Sequence, residues 1–164
     1  MANKILQQRL ADTTKRTLTK VVLISDGTNE ANTLLIDASS LRFALNANGY
    51  IMVSNTHPKP AYRTTIKNLA GNLKSNTGTI RLQWHGDSNS EIIAVGSGSF
   101  EYRFEGYIDG GAIPNPEANA TGDILITTVG LVAGDVATLI IDQRKDNYDF
   151  DAGQTADPYA FNRK

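Results

Sequence analysis

The sequence predicts an all-β fold: a single antiparallel β-sandwich of the jelly-roll kind, with an extension at each end. Three observations carry this. Short runs rich in Val, Ile, Thr and aromatic residues recur between clusters of Gly, Asn, Asp and Ser. Several runs alternate apolar and polar residues with period two, which buries one face and wets the other. No stretch sustains the apolar repeat of an amphipathic helix. A chain of 164 residues, 40% hydrophobic and 20% charged, is one domain with room for a real core.

The elements follow in order. Residues 17–25 (TLTKVVLIS) form a β-branched strand that ends at the turn Asp26-Gly27. Residues 33–37 (TLLID) form a second strand, able to pair back across that turn. Residues 39–45 fit either a short helix or a strand, and residues 50–53 a short strand after the turn Asn48-Gly49. His57-Pro58-Lys59-Pro60 is a loop or an edge, because two prolines remove ladder donors. Residues 62–69 form a strand. In residues 79–84, Ile80, Leu82 and Trp84 face inward, with Thr79, Arg81 and Gln83 opposite. Residues 91–95 form a short strand, and Gly96-Ser97-Gly98 reads as a hairpin turn. In residues 99–104, Phe100, Tyr102 and Phe104 share the inward phase. A Gly/Pro/Asn loop covers 109–122. Strands at 123–129 (DILITTV) and 136–142 (VATLIID) close the body.

The body spans residues 17–145. Residues 1–16 are polar and basic, with Lys4, Arg9, Lys15 and Arg16 against Asp12. Residues 146–164 are acidic, with Asp146, Asp149, Asp151 and Asp157, and carry Tyr148, Phe150, Tyr159 and Phe161. The ends are opposite in sign. One reading is a pair of solvated termini. The other is a pair of complementary arms that dock on neighbouring subunits, and the four aromatics of the tail favour it. Lys4, Arg9, Lys15, Arg16, Tyr148, Phe150, Tyr159 and Phe161 are therefore the candidate interaction residues.

Signals of chemistry are weak. The absence of cysteine excludes disulfides and thiolate chemistry. His57 and His85 are the two histidines, both expected in exposed loops, and no nucleophile-elbow motif or close His pair accompanies them. Glu101, Glu105 and Asp109 fit a strand's solvent face better than a glycosidase pair. Gly96-Ser97-Gly98 lacks the third glycine of a dinucleotide motif. The segment 146–151 lacks the Gly and Glu of a calcium loop, with Asp157 at the position of that Glu. Arg81, Trp84, Tyr102 and Arg103 would make an oligonucleotide face only if the aromatics pointed outward. A net charge of −1 and a pI near 6.1 argue against a general nucleic-acid binder. No apolar run is long enough to span a bilayer or to serve as a signal peptide. The reading is of a protein that is no enzyme, needs no cofactor or metal, and is made in a cytoplasm.

Certain segments resemble a known class. They are Thr79-Ile-Arg-Leu-Gln-Trp84 with its Gly-Asp-Ser turn, Ile92-Ile-Ala-Val95-Gly-Ser-Gly98, Thr121-Gly-Asp-Ile-Leu-Ile-Thr-Thr128 and Ala133-Gly-Asp-Val-Ala-Thr-Leu-Ile-Ile141. With the Gln-Gln-Arg to Ser-Asp-Gly-Thr stretch of residues 7–28, they are similar to small β-rich virion proteins of tailed phages, especially marine and cyanobacterial ones. The resemblance covers much of the body and rests on strand and turn signatures, so it transfers no functional residue. It implies a capsid decoration (cement) protein on the virion surface, bound to the major capsid protein and self-associating, by analogy as a trimer. Two other roles stay open: a neck, tail or baseplate component, and a carbohydrate-binding sandwich in which Tyr62 and Tyr107 are the aromatics outside the alternating strands.

Overall fold

The computed structural model describes residues 3–13, 16–41, 63–103 and 122–146. Among these residues the chain forms β1 (Lys4–Asp12), β2 (Arg16–Ile24), β3 (Thr33–Ile36), a short 3-10 turn (Ala38–Ser40), β4 (Arg63–Lys74), β5 (Thr79–Trp84), β6 (Glu91–Val95), β7 (Gly98–Arg103), β8 (Ile124–Val129) and β9 (Val136–Asp146). A larger sheet has the order β1-β2-β9-β4-β7, and a smaller one β3-β8-β5-β6. Every neighbouring pair is antiparallel. With β1 set aside and β2 counted as the first strand, the sheets read 1-8-3-6 and 2-7-4-5. That is the strand order of a jelly roll. The fold is thus the predicted sandwich, with β1 added beside β2.

Side-chain phase explains why these segments pair. In β2, Thr17, Thr19, Val21 and Leu23 are buried, while Arg16, Leu18, Lys20, Val22 and Ile24 stand on the other face. In β5, Ile80, Leu82 and Trp84 are buried, as the alternation predicts. The core lies between the sheets. Val21, Leu23, Leu69, Leu139 and Ile141 from one side meet Leu35, Ile80, Leu82, Trp84, Ile124 and Ile126 from the other. Among the described residues the indole N–H of Trp84 has no hydrogen-bond partner, so the ring is held by packing.

Several expectations are corrected. β3 does not pair back onto β2; it crosses to the smaller sheet and pairs with β8. Gly96-Ser97-Gly98 is no hairpin turn, because β6 and β7 belong to different sheets. In both places the turn residues mark a change of direction, and burial of the apolar face decides which sheet receives the next strand. Residues 4–12, expected in an arm, are a strand paired along its length with β2. It joins the sheet rather than the core, with only Ile5 packed against the buried cluster. β4 continues past Leu69 to Lys74, through Ala-Gly-Asn. Gly71 is required there: a Cβ would meet the Thr138 carbonyl oxygen at 2.5 Å and the Phe100 ring at 2.8 Å. β9 runs to Asp146 because its polar end still pairs with the start of β4. Tyr102 is 40% exposed, since β7 is an edge strand that the smaller sheet does not cover. The expected elements at 42–62, including His57 and Tyr62, lie outside the described residues, as do Phe104, Tyr107 and the loop up to residue 121.

Candidate interaction surface

The larger sheet is one strand wider than the smaller, and its outer face is where the sequence departs from the usual pattern of a two-layer sandwich. Outward positions on β2 and β9 are expected to be polar. Here they include Leu18, Val22, Ile24, Val136 and Ile140. The register sets apolar residues side by side: Ile24 opposite Val136, Leu6 opposite Val22, and Ile140 opposite Ala70. Leu6 and Ile24 are 47% and 39% exposed. Lys20 interrupts the band opposite Ile140, Lys4 and Lys74 flank its Ile24–Val136 end, and the Glu101–Arg103 pair stands on the same face at β7.

The basic residues expected in an arm have mostly found partners within the chain. The Arg9 guanidinium donates to the Ser40 carbonyl at 2.9 Å and the Ser40 hydroxyl at 3.0 Å, and it pairs with Asp12 at 3.3 Å. This ties β1 to the 3-10 turn. Arg16 donates from Nε and Nη2 to the two carboxylate oxygens of Asp142, at 2.6 and 2.7 Å. Asp142 is buried and also accepts from the Asn68 amide at 3.1 Å. The two-pronged contact matches guanidinium to carboxylate and fastens the start of β2 to β9. Lys4, Arg9 and Arg16 are all exposed, and Lys4 lies on the outer face, opposite Ile24. Lys15 and the aromatics Tyr148, Phe150, Tyr159 and Phe161 lie outside the described residues.

Asn3 fastens the other end of the β1–β2 pair. Its side chain donates to the Thr28 carbonyl and to Glu30, and it accepts from the Asp26 N–H at 2.9 Å. The Thr28 hydroxyl, bonded to Asp26, holds that carboxyl below its ordinary value. The Ser75 hydroxyl does the same for Asp135, helped by the Val132 N–H.

Elsewhere the chemistry is structural. His85 is more than an exposed loop residue. Its Nδ1 sits 2.9 Å from the carboxylate of Asp123, which is buried and also accepts the Ala38 N–H at 2.9 Å. The pair joins the end of β5 to the segments flanking β3 and β8. Glu101 bonds Arg103 on the exposed face of β7, as a solvent-face pair does. A shallow cleft of about 380 Å³ at one end of the sandwich is lined by polar groups that include Asn72, Lys74, Ser75 and Asp135, with no aromatic ring among its lining residues. No helix among the described residues is long and apolar enough to cross a membrane. Among the described residues no cluster of three metal-ligating side chains occurs.

No protein family model, curated protein or solved structure matches the chain.

The half-buried apolar band and the β1 edge were missed in the sequence. The band had a readable signal, since Leu18, Val22 and Ile24 break the alternation of β2. The edge had none, because a strand wet on both faces has no side-chain period.

Proposed function

We propose that this chain is a structural virion protein that decorates and braces a phage capsid by binding the shell of the major capsid protein. The observation that carries this reading is the set of apolar residues on the outer face of the larger sheet. Leu6, Leu18, Val22, Ile24, Val136 and Ile140 occupy positions that a solitary sandwich gives to polar residues. A cement protein needs such a surface and no chemistry of its own. The jelly-roll order supports the reading as an analogy, since capsid domains use it repeatedly. The segment resemblance points the same way. The polar cleft favours the carbohydrate reading less, because it offers no aromatic platform.

The test is co-sedimentation of the purified protein with capsids that lack it, followed by reconstruction of the decorated particle. Saturable binding at repeated capsomer junctions, weakened about tenfold or more by Ile24→Glu with unchanged folding, supports the proposal; a tenfold loss corresponds to about 1.4 kcal/mol. Density confined to the neck, tail or baseplate would assign the runner-up role. Failure to bind any virion part would overturn both.

A further inference from the structure

Among the described strands, β1 is paired on one side only, with β2. Ser25 donates its N–H to the Asp135 carbonyl and accepts from Gly134, both at 2.9 Å, so its backbone groups face β9. The backbone groups of Ile24, Val22 and Lys20 therefore face β1, where they lie opposite Lys4, Leu6 and Gln8. The hairpin bond from the Thr13 N–H to the Arg16 carbonyl, at 2.8 Å, gives the same phase from the other end, across the bulge between Arg9 and Ala11. The N–H and C=O groups of Ile5, Gln7 and Arg9 thus point away from the sheet. No described strand lies beyond them. The same strand exposes Leu6 by 47% and Leu10 by 46%. A long open edge carrying exposed leucines is a template for another strand.

We propose that this edge is closed by β1 of a second copy, antiparallel, with a two-fold axis between the two Gln7 residues. In that register Ile5 lies opposite Arg9 of the second copy, Leu6 opposite Gln8, and Gln7 opposite Gln7. All the outward backbone groups of residues 5, 7 and 9 then find partners, about six hydrogen bonds in all. The regular run of β1 ends where the bulge begins, so the pairing stops without strain. The register is compatible with a copy of the same strand: Lys4 faces Leu10 and Arg9 faces Ile5, so no like charges lie directly opposite each other. Each Leu6 comes within diagonal reach of the other on the outer face. Two sandwiches become one continuous larger sheet, and their apolar outer bands run on side by side. A contact this narrow falls at the low end of specific interfaces, so the dimer forms at micromolar or higher concentrations. The inference is independent of the virion reading.

The experiment uses the full chain. Sedimentation velocity over a concentration series should show a reversible monomer–dimer equilibrium. Gln7→Pro removes an N–H that β2 does not use and blocks the new ladder; it should stay monomeric across the series. Because the chain has no cysteine, a single Gln7→Cys reports the register directly. The two Cα atoms would lie about 5.5 Å apart, within disulfide reach, and mild oxidation should give a covalent dimer. Gln8→Cys should not bridge. A wild-type chain that remains monomeric at millimolar concentration would overturn the proposal. So would a Gln8→Cys that bridges as readily as Gln7→Cys. If Gln7→Pro fails to fold, the cysteine pair decides alone.

Discussion

Replacing Arg16 with Ala separates two accounts of the basic N-terminal region. If Arg16 served a neighbour, the isolated chain would lose almost nothing. The structure instead sets its guanidinium against Asp142, whose side chain is 3% exposed, while that of Arg16 is 54% exposed. Removing one partner of a fully buried ion pair costs about 3–5 kcal/mol, chiefly because a charge is left stranded. Two features lower that figure here. Arg16 is half in water, which screens the pair, and Asn68 keeps one bond to the carboxylate. The expected loss is about 2 kcal/mol, or roughly 4–8 °C in melting temperature for a chain of this size. Urea unfolding, followed by the fluorescence of the lone Trp84, reads it as a lower midpoint with an unchanged slope. In a double-mutant cycle, Arg16→Ala combined with Asp142→Asn should cost clearly less than the two singles added together. A loss below about 0.5 kcal/mol, the ordinary scatter of surface substitutions, would refute the reasoning and return Arg16 to the arm.

Other outcomes can be checked in the same way. Trp84→Ala should cost about 3–5 kcal/mol in urea unfolding, because its ring is buried in the core. Gly71→Ala should cost about 1–3 kcal/mol, since the new methyl meets the Thr138 carbonyl and the Phe100 ring; an unchanged midpoint would show that β4 shifts freely. Asp135 is held below its ordinary value by Ser75, so its contribution to stability is present above the unfolded-state value and fades as pH falls through the folded one. Ser75→Ala should raise the Asp135 midpoint in an NMR titration and flatten the acid limb of stability; an unmoved midpoint would refute the assigned cause. Deleting residues 147–164 should leave the melting transition of the body in place, as read by circular dichroism, while weakening the proposed binding to capsids. Loss of folding would instead make that segment part of the domain.

The sequence made the interior legible and the connections much less so. Ile80, Leu82 and Trp84 were readable because burial on one face imposes a period of two, and they are buried as that period requires. Asp26-Gly27 and Gly96-Ser97-Gly98 were readable as turns, but a turn signal gives only a local reversal. Which strand comes to lie alongside is settled by distant partners such as β8 and β4. The strand expected over 62–69 runs on through Gly71, and the ring that needs its missing side chain lies 29 residues further on, at Phe100. The cationic surplus of the first 16 residues was plain, yet charge alone does not name a partner. Arg16 finds Asp142 only because β2 and β9 are neighbours. The outer band of Leu18, Val22 and Ile24 was in view as a lapse in alternation, and only the topology shows that it falls on the face turned away from the smaller sheet.

The position of β9 bears on how the chain is born. The last strand of the body lies in the middle of the larger sheet, between β2 and β4. While the ribosome is still extending the chain, those two strands have no common neighbour, and each keeps a bare edge. The hairpins β1–β2 and β5–β6 can close early, but the larger sheet cannot zip until residues 136–146 have left the exit tunnel. Completion is therefore a late, long-range event of the kind that makes β-rich chains slow to fold and open to mispairing in the interval. A ribosome stalled before residue 136 would present a nascent chain with both edges open, and chaperone engagement should be greatest at that point of synthesis.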